Sequence, residues 1–137
     1  MQNLQPVTPY LTVKGAVDAI AYYHKAFGAT EITRMPAQDG KRLMHAELSI
    51  NGGKVFLCDD FSEHGGPTAP SREGQAPPVA VALALEQPAQ VDATFKQAIG
   101  AGAKAEMEPA DQFWGARFAM LTDPFGHRWM LNAPLAK

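Results

Sequence analysis

Residues 123–131 read DPFGHRWML, and this stretch decides the fold. An apolar run ends at Thr122, an Asp-Pro-Phe-Gly turn follows, and a second apolar run begins at Arg128. Asp, Pro and Gly within four consecutive positions are typical of a tight turn, because each residue favours a backbone shape that the turn requires. The stretch therefore predicts a β-hairpin, with Met130 at the centre of its outgoing strand.

The hairpin closes the second of two units in which the elements follow the same order. In the first unit, hydrophobic periodicity predicts a strand, a helix and three strands at residues 10–13, 15–27, 31–35, 43–50 and 54–59. The second unit repeats this order at residues 79–85, 89–101, 105–109, 116–122 and 128–132. The helix faces are predicted to consist of Val17, Ile20, Ala21, Tyr23 or His24, and Phe27 in the first unit, and of Val91, Phe95 and Ile99 in the second.

A shift of 74 residues brings identical residues of the two units together. It pairs Val17-Asp18-Ala19 with Val91-Asp92-Ala93, Gly28-Ala29 with Gly102-Ala103, and Gly52 with Gly126. Duplication explains these matches at the start of the helix, its end and the hairpin turn. The sequence predicts one α+β domain over residues 1–137, built from two βαβββ modules, 8–60 and 79–134, whose curved mixed sheets surround a cup-shaped cavity. Residues 61–78, rich in Pro, Gly and Ser, are expected to form a linker or a flap.

Composition and charge exclude several classes of function. The net charge is −2 and there is no basic run, which argues against a nucleic-acid partner. No window approaches the roughly 20 apolar residues of a membrane span, and the polar start does not resemble a signal peptide. Cys58 is the only cysteine, so an internal disulfide and a zinc site built on several cysteines are both excluded. We expect a protein of the reducing cytoplasm.

Five stretches carry a resemblance to a known family: TPYLTV, YYHKAFGA, MHAELSINGG, FWGARF and DPFGHRW. In this order they resemble the vicinal oxygen chelate superfamily, which includes glyoxalase I, extradiol dioxygenases and bleomycin resistance proteins. The likeness is greatest to its PhnB-like branch and covers roughly residues 6 to 134. The resemblance implies the paired βαβββ fold, and it also implies a homodimer.

The resemblance further implies where metal-bearing members place their ligands, on the first and last strands of each module. In this chain those positions fall at Thr8, at Phe56 or Cys58, at Ala80 or Ala82, and at Met130. None of Thr, Phe, Ala and Met offers the imidazole or carboxylate that such a site needs, and Cys58 alone does not make one. The expectation is therefore that no metal and no other cofactor is bound.

Strand alternation predicts what lines the cup. If Val81, Leu83 and Leu85 pack under the helices, the alanines between them face the concave side and leave room there. The same parity turns Tyr10, Phe56, Cys58, Arg128 and Met130 inward, and we interpret these residues as ligand-binding. A filled core is the alternative. Trp114 and Arg117 are added because an aromatic ring beside a guanidinium can stack on a planar ligand, although Trp114 can equally pack a hairpin edge.

Three further features concern polar side chains. His45 and Glu47 share one face of a strand and are the candidate catalytic pair, although both can instead point to solvent or to a partner chain. Asp59 and Asp60 are expected to form a solvated strand end, with cation binding as the alternative. His127 lies in the turn of the hairpin and is expected to form local hydrogen bonds.

These patterns favour a metal-free small-molecule binding protein that sequesters a planar or aromatic compound. Whether the protein is an enzyme stays open. One alternative is a metal-dependent lyase or dioxygenase of the family's type, which the ligand positions contradict. The other is a metal-independent lyase or isomerase that uses His45 and Glu47.

Overall fold

The computed structural model describes residues 4–70 and 76–135. The elements of the first module are β1 (Tyr10–Val13), α1 (Ala16–Phe27), β2 (Thr30–Pro36), β3 (Leu43–Ile50) and β4 (Gly53–Asp59). A single 3-10 turn, Ser62–His64, follows in the connecting segment. The second module contains β5 (Ala80–Ala84), α2 (Pro88–Gly100), β6 (Lys104–Gln112), β7 (Ala116–Thr122) and β8 (Arg128–Pro134). The predicted element order is confirmed throughout.

Within the described residues each module forms a four-stranded mixed sheet. The first sheet has the order β1-β4-β3-β2 and the second has the order β5-β8-β7-β6. In both sheets the first strand runs parallel to the last strand, and the remaining pairs are antiparallel. The α+β class with two βαβββ modules is therefore confirmed. No helix in the described ranges is long and apolar enough to span a membrane.

The register of the two sheets refines the internal repeat. Tyr10 lies opposite Phe56 in the first sheet, and Ala82 lies opposite Met130 in the second. The shift of 74 residues relates Phe56 to Met130 but would place Ala84, not Ala82, where Tyr10 lies. Ala82 is therefore the counterpart of Tyr10, and the second module has two more residues than the first between its first strand and its helix.

The start of α1 depends on a side chain that is distant in sequence. The N-cap residue, Gly15, has no side chain that can accept from the free amides of the first turn. Asp59 at the end of β4 replaces it, because its Oδ1 accepts from the amides of Gly15 and Ala16 at 2.9 Å each. Its Oδ2 accepts from the amide of Leu43 at 2.7 Å. One carboxylate therefore fixes the helix start and the ends of two strands, and the expectation that Asp59 is solvated was wrong.

The buried face of α1 is rotated from the predicted one. Val17 and Ala21 are exposed, whereas Ala19, Ile20, Tyr22, Tyr23 and Ala26 are buried. The cause is a second partner, because α1 packs against α2 as well as against its own sheet, and its Tyr23 and Phe27 rings contact Trp129 of the second sheet. The face of α2 is closer to expectation, since Val91 and Phe95 are buried and Ile99 packs at the margin of the core.

Asp123, the first residue of the decisive stretch, joins the two modules. Its Oδ2 accepts from the hydroxyl of Tyr23 at 2.6 Å and from the indole N–H of Trp129 at 2.8 Å. Its Oδ1 accepts from the turn amides of Phe125 and His127 at 2.8 and 3.0 Å. Tyr23 belongs to α1, so the carboxylate that shapes the second hairpin also binds the first helix.

Each hairpin turn also reaches the first strand of the other module. The Asn51 side chain donates to the carbonyl oxygen of Ala84 at 2.8 Å, and His127 Nε2 lies 2.8 Å from the carbonyl oxygen of Thr12. The contact of the His127 side chain is thus between modules rather than local, contrary to the expectation. Together with Asp123 these contacts hold the modules in one arrangement.

Removing the Asp123 carboxylate tests this joint. In Asp123→Ala the Tyr23 hydroxyl and the Trp129 indole lose their shared acceptor, and each stranded buried donor costs about 1–3 kcal/mol. We expect the free energy of unfolding, measured by urea denaturation, to fall by about 2–5 kcal/mol. Glu108→Ala on an exposed strand is the control, with an expected change within about 0.5 kcal/mol. A loss for Asp123→Ala as small as that of the control would contradict the proposed role.

Candidate functional site

The candidate polar and aromatic residues lie on the face of the first sheet that points away from the helices. Leu11, Val13, Leu48, Val55 and Leu57 are buried toward the helices. The alternate residues turn the other way and form this face: Tyr10, Thr12, His45, Glu47, Phe56 and Cys58. Parity alone could not orient His45 and Glu47, but the structure places them beside Tyr10.

A β-bulge adds Met44 to the same face. Met35 pairs with His45 and Pro36 pairs with Leu43, which leaves Met44 as the extra residue in β3. Met44 is consequently 53% exposed, although simple alternation groups it with the buried Ala46. The bulge makes Met44 part of the cavity wall described below.

Tyr10, His45 and Glu47 form a hydrogen-bonded chain. The Tyr10 hydroxyl lies 2.6 Å from His45 Nδ1, and His45 Nε2 lies 3.1 Å from Glu47 Oε2. Phe56 packs against both rings, with centroids 5.8 Å from Tyr10 and 5.1 Å from His45. Burial, with a smaller contribution from Cys58, raises the pKa of the Tyr10 phenol, so the hydroxyl keeps its proton.

Tyr10 also lines a cavity of about 540 Å³ beside this chain. The loop 37–42 forms one wall and the start of the connecting segment forms the other. Apolar contributions come from Tyr10, Met44, Cys58, Phe61 and Pro67. A second cavity of about 340 Å³ lies on the other side of Tyr10, where Thr12 and His127 meet residues 76–79. Tyr10 is thus shared by both spaces.

Arg42 and Asp60 hold the start of the connecting segment in place. The Arg42 guanidinium lies 4.3 Å from the ring centre of Phe61 and pairs with Glu63 at 2.7 Å. Asp60 accepts from the amides of Ala69 and Ser62, and these bonds lower its pKa to about 2. Asp60 is therefore a loop anchor, where a solvated strand end or a cation ligand was expected. Up to Ala69 the segment forms one wall of the cavity, and residues 71–75 lie outside the described residues.

The second sheet presents a less polar face. Ala80, Ala82 and Ala84 lie on it, as expected, while Leu83 is buried under the helices. Met130 lies on the same face between the buried Trp129 and Leu131, which confirms its predicted orientation.

Arg128 begins the last strand of this sheet. Its guanidinium is 3.8 Å from Glu106, and its Nε is buried without a hydrogen-bond partner among the described residues.

Trp114 and Arg117 contact different neighbours. The Arg117 guanidinium pairs with Asp92 of α2 and with Asp111, each at 2.8 Å. These ion pairs occupy it on the helix side of the second sheet, and we leave Arg117 out of the proposed site. Trp114 is 53% exposed at the β6–β7 turn and packs its edge against Phe118.

The positions that bear metal ligands in this fold do not suit a metal here. Thr8 lies just before β1, and Phe56, Ala80, Ala82 and Met130 carry no donor for a divalent ion. Cys58 is buried, and burial raises the pKa of its thiol, which disfavours the thiolate that binds metals. In residues 4–70 and 76–135, no three His, Cys, Asp or Glu side chains form a group able to hold an ion.

The fold and this site define a paired βαβββ protein with a cavity on its first sheet. The sequence model of the Glyoxalase/Bleomycin resistance protein/Dioxygenase superfamily matches residues 4–131, and the chain belongs to this superfamily. An uncharacterized protein of Mycobacterium bovis is 42% identical over 135 residues, which cover 97% of this chain and 86% of that protein. The protein YjdN of Escherichia coli is 29% identical, covering 93% of this chain and 94% of its own.

Solved structures agree with this assignment. TioX from Micromonospora has a TM-score of 0.72 at 26% identity and covers 96% of this chain and 100% of its own. The PhnB protein from Bacillus cereus has a TM-score of 0.71 at 18% identity, with 94% and 99% coverage, and shows the shared fold alone. The family model establishes the superfamily, the solved structures share the fold, and the ligand stays open.

The orientation of the second sheet can be tested at Met130 and Leu131. Leu131→Ala should cost about 2–5 kcal/mol of unfolding free energy, as a deletion in a packed core does. Met130→Ala should cost less, because the side chain lies on the open face. Met130→Glu should likewise be tolerated better than Leu131→Glu, since a carboxylate on the open face keeps part of its hydration. If the two Glu variants prove equally destabilised in a denaturant titration, Met130 belongs to the core.

Proposed function

We propose that the protein is a small-molecule binding protein that works without a metal and holds a planar or aromatic compound against its first sheet. The observation that carries this proposal is the cavity of about 540 Å³ beside Tyr10. Its size and its mainly apolar lining with a few polar groups are typical of ligand sites. The fixed wall formed by Phe61 supports the proposal, because a preformed site binds without a large ordering cost.

The proposed ligand contacts fall into two groups. Tyr10 and Cys58 line the cavity directly, and Phe56 supports the Tyr10 ring from behind. Arg128 and Met130 on the second sheet and Trp114 at its β6–β7 turn belong to the wider site that we propose. The alanines beside Met130 leave space there.

The residues of the same site are less suited to a metal-dependent lyase or dioxygenase. That chemistry requires several imidazole or carboxylate ligands around one ion. The family positions carry Thr8, Phe56, Ala80 or Ala82, and Met130, and the pair His45 and Glu47 is instead engaged with Tyr10. The donor set thus favours binding over metal-assisted turnover.

Metal-independent acid–base catalysis is a second candidate, favoured by the chain of Tyr10, His45 and Glu47. A carboxylate that orients an imidazole beside a phenol is an arrangement that can transfer protons. In this alternative His45 and Glu47 are catalytic and the reaction is a lyase or isomerase step. Solvent deuterium entering the carbon beside the carbonyl of dihydroxyacetone, and ceasing in Glu47→Gln, would favour catalysis over binding.

A planar probe tests the binding proposal. We expect 2-naphthol to bind in isothermal titration calorimetry and to bind equally well after dialysis against EDTA. Met44→Trp fills the cavity from an exposed position and should weaken binding more than tenfold. Met107→Trp, on the exposed strand β6, is the matched control and should bind as the wild type does. Binding that EDTA abolishes, or that Met44→Trp leaves intact, would contradict the proposal.

The same proposal includes a homodimer in the reducing cytoplasm. The outer strands β2 and β6 are exposed along nearly their whole length and present unpaired backbone groups and the side chains of Ile32 and Met35. A twofold assembly that covers these edges would remove them from solvent. Light scattering should return twice the chain mass of 14.7 kDa. A monomer mass throughout the micromolar range would overturn this part.

A further inference from the structure

We infer that the site selects planar compounds that carry a hydroxyl or N–H donor, because Tyr10 offers the bound ligand an acceptor and no donor. This selection rests on the proposed binding function and narrows its ligand class. It follows from the direction of the two hydrogen bonds that join Glu47, His45 and Tyr10.

Glu47 determines the direction of these two hydrogen bonds. An ionised carboxylate only accepts hydrogen bonds, so the contact with Glu47 requires the proton of His45 to be on Nε2. In the neutral form of the imidazole, Nδ1 then has a lone pair. In that form the Tyr10 hydroxyl, 2.6 Å away, donates to this lone pair.

The phenol oxygen of Tyr10 is thereby left with acceptor capacity alone. A hydroxyl has one proton to donate, and His45 takes it. The raised pKa of the phenol supports this, since a protonated hydroxyl is the form that can donate. Phe56 packs edge-on against both rings and limits reorientation of the pair. Tyr10 lines both cavities, and the oxygen of its side chain therefore offers lone pairs and no remaining proton.

An acceptor without a donor at Tyr10 distinguishes between ligands that are otherwise similar. A hydroxyl or N–H group on an aromatic ring donates to Tyr10 and satisfies both partners. An ether or ketone oxygen at the same place brings lone pairs against lone pairs and loses its hydration without compensation. The Arg42 guanidinium in the cavity wall competes less for a ligand acceptor, because Asp39 engages its Nε at 2.8 Å and Glu63 engages one of its Nη atoms at 2.7 Å.

Paired probes measure the selection. In titration calorimetry at neutral pH, 2-naphthol should bind about tenfold more tightly than 2-methoxynaphthalene, which has the same ring system and no donor. Tyr10→Phe keeps the ring contacts and should bring the two affinities within about twofold. Tyr22→Phe makes the same chemical change at a hydroxyl that donates to Ala98 on the helix side, and it should leave the tenfold ratio unchanged.

A second variant tests the direction of the hydrogen bond between Tyr10 and His45. His45→Phe removes the acceptor and frees the Tyr10 hydroxyl to donate, so 2-methoxynaphthalene should gain affinity and the ratio should fall. If the wild type binds both probes equally, the selection is wrong while the binding function stands. A ratio that survives in Tyr10→Phe or in His45→Phe also overturns it. If neither probe binds, the binding function fails and the selection falls with it.

Discussion

The buried carboxylate of Asp123 is the interaction on which the rest of the structure depends. The carboxylate accepts hydrogen bonds from two turn amides, one indole N–H and one phenol hydroxyl, so each of its oxygens has two neighbouring donors. A carboxylate can be buried at moderate cost only when it is satisfied in this way. Because the phenol belongs to Tyr23 of the first module, the conformation of the second hairpin and the packing of the two modules cannot change independently.

Asp59 plays a comparable part closer to the site. Its carboxylate fixes the start of α1 and the amide of Leu43, and the adjoining residues Cys58 and Met44 line the cavity. The next residue, Asp60, anchors the loop that forms the opposite wall. Two consecutive carboxylates thus connect the packed interior with the shape of the binding space.

The sequence predicted the repeated order of elements because periodicity and turn residues are local signals. It also predicted the orientation of Met130 and of the alanines of β5, since alternation along a regular strand is reliable. It failed where contacts are distant or irregular: the cap that Asp59 provides comes from another element, and the bulge at Met44 breaks the alternation. Tyr10 was expected to bind a ligand, but its partnership with His45 crosses from β1 to β3 and has no signal in the local pattern.

The two halves of the duplicated fold differ in the chemistry of one row of paired residues. Tyr10, Glu47 and Phe56 line up across the first sheet, and the register places Ala82, Met120 and Met130 at the matching positions of the second. Backbone geometry is therefore kept while hydrogen-bonding groups are replaced by small or flexible apolar ones. The row in the second sheet is apolar and leaves space, whereas the row in the first sheet has one oriented acceptor at Tyr10. Together they suit a flat molecule that has a single polar edge. The asymmetry between the halves, rather than any one residue, is the strongest structural support for that class of ligand.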